Sequence, residues 1–498
     1  MNYCIKKTET LRSPMNQNSI DSVKRNAIVS VLSLFAQSGY SAVLGLVANL
    51  VVTILLTPSI YGIYIAVLSM NSILNYFSDI GLAASLIQKK SIDTADISTT
   101  FTVQQLLIIT LIVFSFIFTR PITSFYNLPS EGVYLYWAVL LGFFLSSLKT
   151  IPSVFLERKI EFQKIVIVQV IESTLFYSSV IVFALLGYGL TSFTISVIIR
   201  SVVGVIVMYS ISFWKPQIGF SMKSFRQLIS FGLPFQGSSF LALFKDDFVI
   251  LFLGKVVGFE VLGYIGWAKK WAEAPIRIVM DNIGKVLFPS IARLQEKTST
   301  VANLIEKMLF YQTSVITPAM IGAALLMQPI VYLIPKYAKW EPALPMFYVF
   351  SLSSLIISLA APFVSILNAL GKAKISFLFM VMFTTLTWSL VPISILIDKY
   401  MGFPIAHLII SASYIFLILY VKRLIKFQFI KSIFQPLISS FIMGIVLLYI
   451  STQFQISSIY GVAFFIILGS SIYVSSLRYI FQVNIIEKIF SFVKQIKN

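Results

Sequence analysis

Five charged residues of this chain recur at intervals of four with alternating sign: Lys269, Glu273, Arg277, Asp281 and Lys285. That spacing stacks side chains on one helical face, each within reach of the next. Lys270 adds a positive charge beside the row, and Trp267 and Trp271 flank it. Such a face can line a polar cavity, exchanging its internal partners for phosphate oxygens and sugar hydroxyls while the indoles stack on sugar rings. It can equally be a self-neutralised ladder that lets a polar helix sit within a bundle. Pro275, inside the row, predicts a kink.

Arg200 and Lys245 extend the same chemistry, because guanidinium forks and ammonium donors suit phosphate oxygens. Asp246 and Asp247 follow Lys245 directly, so an ion pair from Arg200 to either is the competing reading. The two readings coexist if a ligand displaces the pair. Glu172, opposite in sign, is a candidate for a coupling cation or proton, or a partner for Arg200.

These charges gain meaning from the segments around them. Hydrophobic residues make up 58% of the 498 and charged residues only 11%, with a mean hydropathy of +0.90. Apolar runs of about 20 residues, the length that crosses a bilayer, recur along the whole chain. The predicted spans are 27–56, 61–82, 98–119, 133–151, 163–186, 191–212, 228–254, 258–287, 308–334, 343–368, 374–397, 402–421, 433–452 and 457–478. The expected fold is an all-α polytopic membrane protein of fourteen helices, with no connection long enough for a separate soluble domain. A charge at the centre of a span costs about 2.5–3.5 kcal/mol on insertion scales, so intramembrane charges point to function. At 1.5 Å per residue, Arg200 lies roughly 13 Å and Lys245 roughly 15 Å from the same face, on neighbouring helices.

The chain carries a formal net charge of +19, and its position excludes a nucleic-acid role. With the N-terminus taken as cytoplasmic, 28 of the 38 Lys and Arg fall in the tails and inner connections, against five outside. The remaining five lie within spans. This split follows the positive-inside rule and places both termini in the cytoplasm, where the basic residues meet anionic lipid heads. Helix 8 has only about a dozen apolar residues before Lys269, too few to cross alone. Without a crossing there, however, Lys372, Lys374 and the cluster from Lys422 to Lys431 would all face outward. The helix must therefore span, with its charges turned towards protein or water.

Cys4 is the only cysteine, which rules out disulfides within the chain and a Cys-based metal site. His407 is the only histidine and is expected to be a packed or interfacial residue. No nucleophile triad, phosphate loop or metal cluster is visible, so an enzyme is the least favoured class. Trp137, Trp214 and Trp340, near span ends, read as interfacial anchors. An internal repeat relates Thr57-Pro-Ser-Ile-Tyr-Gly62 to Gly258-Phe-Glu-Val-Leu-Gly263, six helices apart. An even offset gives two parallel six-helix bundles with Gly62 and Gly263 in equivalent places.

Ordered motifs resemble one family. They are Leu55-Leu-Thr-Pro-Ser-Ile-Tyr-Gly62, Phe77-Ser-Asp-Ile-Gly-Leu82 and Leu86-Ile-Gln88, then Ile151-Pro-Ser-Val-Phe-Leu-Glu-Arg-Lys-Ile-Glu-Phe162 and Leu186-Gly-Tyr-Gly189. Phe231-Gly-Leu-Pro234, Leu287-Phe-Pro-Ser-Ile-Ala-Arg-Leu-Gln295 and Leu367-Asn-Ala-Leu-Gly-Lys372 follow. Over roughly residues 25–430 the chain is similar to the Wzx-type polysaccharide flippases of the multidrug/oligosaccharidyl-lipid/polysaccharide exporter superfamily. Ile54 stands where members of that family often carry an arginine.

The resemblance implies two lobes opening alternately to either face of a bacterial cytoplasmic membrane. It also implies a cargo of oligosaccharide on polyprenyl pyrophosphate, moved outward for capsule, O-antigen or exopolysaccharide synthesis. No cofactor is expected, coupling to a Na+ or H+ gradient stays open, and polysaccharide polymerases and glycosyltransferases are the expected partners. The domains would be a cytosolic tail (1–24), an N-terminal bundle (25–219), a C-terminal bundle (220–430), and helices 13–14 with a cytosolic tail (431–498). The alternatives are a cation-coupled drug antiporter, against which the intramembrane cations argue, and a glycan polymerase, which would need acidic or histidine groups on a large outer loop.

Overall fold

The computed structural model describes residues 17–78, 80–294 and 298–484. Among the described residues there are fourteen long helices. The first six are α1 (Gln17–Leu55), α2 (Pro58–Ser78), α3 (Thr94–Ile117), α4 (Ser130–Arg158), α5 (Phe162–Leu185) and α6 (Thr191–Ile211). The next six are α7 (Met222–Val256), α8 (Phe259–Leu294), α9 (Thr298–Leu333), α10 (Ala338–Ala369), α11 (Ala373–Ile397) and α12 (Gly402–Leu424). Two more, α13 (Phe429–Gln453) and α14 (Ile459–Ser475), complete the set. Twelve of them are apolar and long enough to cross a membrane. The other two, α7 and α8, are 35 and 36 residues long and carry Lys245, Asp246 and Asp247, and Lys269, Lys270, Glu273 and Arg277. The chain is a multi-pass all-α membrane protein.

Helices α1, α7 and α9 begin up to ten residues before the apolar stretches read from sequence, and α8 runs seven residues beyond the end of its own. Hydropathy marks only the part inside hydrocarbon, whereas helical hydrogen bonding continues into the polar flank. Two short helices, Leu82–Gln88 and Thr119–Tyr126, were not anticipated. Helix α8 runs unbroken through Pro275, so the expected kink does not interrupt it.

Two prolines do break spans. Helix α4 divides into Ser130–Leu148 and Thr150–Arg158 because Pro152 has no N–H to offer the Leu148 carbonyl. The Tyr209 hydroxyl on α6 donates to that carbonyl instead, at 3.1 Å. Helix α10 divides at Ala361, where Pro362 leaves the Ser358 carbonyl free and the Gln312 side-chain amide on α9 fills it. Each orphaned acceptor is satisfied by a neighbouring helix, as an apolar setting demands.

Among the first six helices, α5 packs on α1 and α6, and α4 on α2 and α6. Among the next six, α8 packs on α10, α10 on α12 and α12 on α11, while α13 lies on α9 and α14 on α13. The two sets meet mainly where α2 packs on α7 and α8. At the end assigned to the outside the repeated glycines face one another. A Cβ on Gly62 would lie 1.8 Å from the Phe259 carbonyl oxygen, and one on Gly263 would lie 2.0 Å from that of Pro58. Small residues allow this approach, and close packing replaces the hydrophobic drive that lipid does not supply.

The same end carries cross-links between the sets. Trp340 Nε1 donates to the Thr53 carbonyl at 2.7 Å, and Lys339 Nζ to that of Ile54 at 2.8 Å. Lys255 Nζ donates to the Phe125 carbonyl at 2.5 Å and lies 4.5 Å from that ring's centre. At the opposite end Gly81, with φ of +83°, abuts Gly232, and Ser85 Oγ donates to the Leu228 carbonyl at 2.7 Å.

Candidate functional site

On the N-terminal side the site centres on Glu172 of α5, which is buried with 7% of its side chain exposed. Its carboxylate lies against α6 at Gly204, where a Cβ would fall 1.8 Å from Glu172 Oε1. The Lys149 ammonium, at the break in α4, pairs with Oε1. Arg200 Nε, one helical turn before Gly204, lies 4.0 Å from Oε2. Arg200 is half exposed, and its guanidinium sits 5.8 Å from the centre of the Phe176 ring. A cavity of about 290 Å³ beside this cluster is lined by Lys149, Glu157, Gln169 and Glu172.

Magnitudes separate the two cations. Removing one partner of a buried ion pair costs about 3–5 kcal/mol, because the other charge is stranded. Lys149 and Glu172 form such a pair, at 14% and 7% exposure. A half-exposed pair at 4.0 Å is worth about 0–1 kcal/mol, less than the 1.5–3 kcal/mol of a hydrogen bond to a charged group. Glu172 therefore belongs to Lys149, and Arg200 is available to an anion. Lys149, near the end of the span predicted over 133–151, is thus paired with a carboxylate 23 residues away.

On the C-terminal side, Glu273 of α8 bridges two cations of the four-residue row. Arg277 donates to it at 3.0 Å, and Lys269 lies 3.8 Å away. Arg277 remains 67% exposed, and Lys270 is partly buried within electrostatic reach of it. The side chains of Asp281 and Lys285 lie outside the described residues, as does Asp79. On α7, Lys245 Nζ pairs with the adjoining Asp246 Oδ1 at 2.5 Å. Asp247 turns across the junction to the Ser69 and Ser72 hydroxyls of α2. Arg200 thus takes neither of the aspartates expected as its partner.

Tyrosines that no local pattern marks couple electrostatically to the charges of the two sides. Tyr177 of α5 lies within electrostatic reach of both Arg200 and Arg277, and Tyr61 of α2 within reach of Arg277. The arrangement presents one exposed guanidinium from each half, both within electrostatic reach of Tyr177. Its cationic donors and hydroxyls can hold anionic oxygens and sugar hydroxyls.

The indoles divide. Trp271 of α8 is partly buried against the core. Trp267 is fully buried, stacked on Trp340 at 5.5 Å with rings 10° apart, and donates to the Tyr337 hydroxyl at 2.8 Å. Its faces are taken by protein, so it offers no sugar platform in this state. Trp340 is likewise buried rather than an interfacial anchor. His407 is packed edge-on to Phe350 and Phe403, with Nδ1 2.9 Å from Ser353 Oγ. Among the described residues no group of three or more His, Cys, Asp or Glu could hold a metal ion.

A family described as polysaccharide biosynthesis protein matches residues 51–345. The succinoglycan biosynthesis transport protein ExoT of Rhizobium meliloti is 22% identical over 71% of this chain and 71% of its own length. The lipopolysaccharide biosynthesis protein WzxC of Escherichia coli is 23% identical over 75% of this chain and 74% of its own. The teichuronic acid biosynthesis protein TuaB of Bacillus subtilis is 21% identical over 60% and 62%. Among solved structures, the lipid II flippase MurJ in an inward closed conformation superposes with a TM-score of 0.74 at 17% identity, covering 91% of this chain and 99% of that one. A MATE-family multidrug resistance transporter in its inward-facing conformation gives 0.52 at 16% identity, covering 80% and 98%. At these identities the likeness to solved structures concerns the fold.

Proposed function

This chain belongs to the polysaccharide biosynthesis protein family matched over residues 51–345, and from that premise we propose that it is a flippase. Its cargo would be an oligosaccharide on a polyprenyl pyrophosphate, carried from the inner to the outer leaflet of a bacterial cytoplasmic membrane for capsule, O-antigen or exopolysaccharide synthesis. The observation that carries this reading is the pair of exposed guanidiniums, Arg200 and Arg277, one on each half and both within electrostatic reach of Tyr177. A pyrophosphate needs several charge-assisted donors at once, and two sites that ride on separate bodies let one cargo bridge them.

In this account residues 25–219 and 220–430 are the two moving lobes, residues 431–498 an attached pair with a tail, and both termini are cytoplasmic. Lys269, Lys270, Glu273 and Arg277 line the cargo space with Arg200, Lys245 and Trp271. The carrier makes and breaks no bond. Coupling to a Na+ or H+ gradient would act through Glu172, the buried carboxylate of the N-terminal lobe. Polysaccharide polymerases and glycosyltransferases would work on the same lipid-linked units before or after transfer.

Deleting the gene in its host tests the proposal. Complete polyprenyl-linked saccharides should accumulate on the cytoplasmic leaflet while surface glycan is lost. Unchanged lipid-linked pools with altered drug sensitivity would replace the flippase with an antiporter.

A further inference from the structure

We infer that Lys149 is a positioning residue for anion capture: it occupies Glu172 and thereby leaves the charge of Arg200 free towards the cargo space. The inference rests on the proposal that Arg200 receives the cargo's pyrophosphate.

Three observations converge on it. Glu172 is one carboxylate facing two cations, and its two oxygens are divided between them, Oε1 to Lys149 and Oε2 towards Arg200. The Lys149 contact is direct and buried, while the Arg200 contact is 4.0 Å and half exposed. Both arrangements have backbone causes. The break above Pro152 sets Lys149 at the turn between the two segments of α4, and Gly204 admits the Glu172 carboxylate against α6. The cluster carries a net positive charge, and its exposed member is the guanidinium.

Without Lys149, the carboxylate would turn both oxygens to Arg200 and cancel that charge. Without Glu172, neither cation would be held back. The other acid lining the adjoining cavity is Glu157 on α4, which accepts from Ser153 Oγ at 3.2 Å and makes no ion pair with Lys149.

The test is the binding of inorganic pyrophosphate to the purified full-length protein in lipid nanodiscs, followed by the protein's tryptophan fluorescence. Lys149→Met should weaken binding about tenfold, and Lys149→Arg should leave it within twofold of the unaltered chain. Glu172→Gln should bind at least as tightly as the unaltered chain. The double variant Lys149→Met with Glu172→Gln should recover the affinity that Lys149→Met loses, which a merely structural role for Lys149 would not produce. Should Lys149→Met fail to reach the membrane, Glu172→Gln alone decides, and weaker binding there overturns the inference. A Lys149→Met protein that binds normally, while Arg200→Ala does not bind, also overturns it but leaves the cargo site standing. Normal binding by Arg200→Ala removes both.

Discussion

Gly62 and Gly263 occupy equivalent places in the internal repeat and make reciprocal contacts. The backbone at Gly62 meets the Phe259 carbonyl, and the backbone at Gly263 meets that of Pro58. Phe259 and Pro58 are themselves repeat-related, so the two halves touch across a local pseudo-twofold axis. One turn further on, Gly266 meets the side chain of Ile65, its own counterpart, where a Cβ would lie 2.0 Å from Cδ1. The repeat is thus both an echo in sequence and the junction between the halves.

Adding a β-carbon at this junction should force the halves apart at the outer end. Gly62→Val and Gly263→Val place a branched side chain against backbone atoms about 2 Å away, which cannot yield without moving a helix. Cysteines at Phe125 and Lys255, whose side chains touch across the same end, should be joined by a short bifunctional thiol reagent in the parent and at least fivefold more slowly with either valine.

Cargo capture should depend on both guanidiniums. Arg200→Ala and Arg277→Ala should each abolish transfer of lipid-linked saccharide while membrane levels stay within about twofold of the parent. Parallel loss of protein from the membrane would instead assign these arginines to the stability of the bundle.

Trp340 and Lys339 tie the α9–α10 turn to the end of α1. Trp340→Phe removes the bond to the buried Thr53 carbonyl but keeps most of the packing on Trp267. Leaving a buried acceptor unmade costs about 1–3 kcal/mol. A cysteine at Asn49, buried behind this latch, should then react several-fold faster with a small impermeant thiol reagent added from outside. Unchanged reactivity would show that the latch does not limit opening.

Topology is open to a direct check. A cysteine at Lys372 should stay unlabelled by an impermeant reagent in intact cells and become labelled once they are permeabilised. Labelling in intact cells would invert the orientation argued from the basic residues.

Sequence and structure agree where local pattern carries the information. Apolar length marked the spans, the four-residue spacing from Lys269 to Arg277 marked one charged face, and the repeat marked Gly62 and Gly263. The misses depended on pairings between distant segments. Lys149 near a span end looks like any cytoplasmic lysine, and only the fold brings Glu172 to it. Trp340 beside a loop looks like an anchor, because nothing local reveals that the α9–α10 turn folds inward onto Trp267 and Thr53. Tyr61 and Tyr177 are two among 23 tyrosines, and only their closeness to the guanidiniums separates them from the rest.

The central claim is transfer of a lipid-linked saccharide between leaflets, and reconstitution measures it most directly. Polyprenyl-linked saccharides extracted from the deletion host would be placed in the inner leaflet of liposomes holding the purified protein, with an impermeant oxidant of sugar diols outside. The account predicts that the protected saccharide becomes oxidisable over time with the parent protein, and at the rate of protein-free liposomes with Arg200→Ala or Arg277→Ala. Equal rates for the parent and for empty liposomes would contradict it.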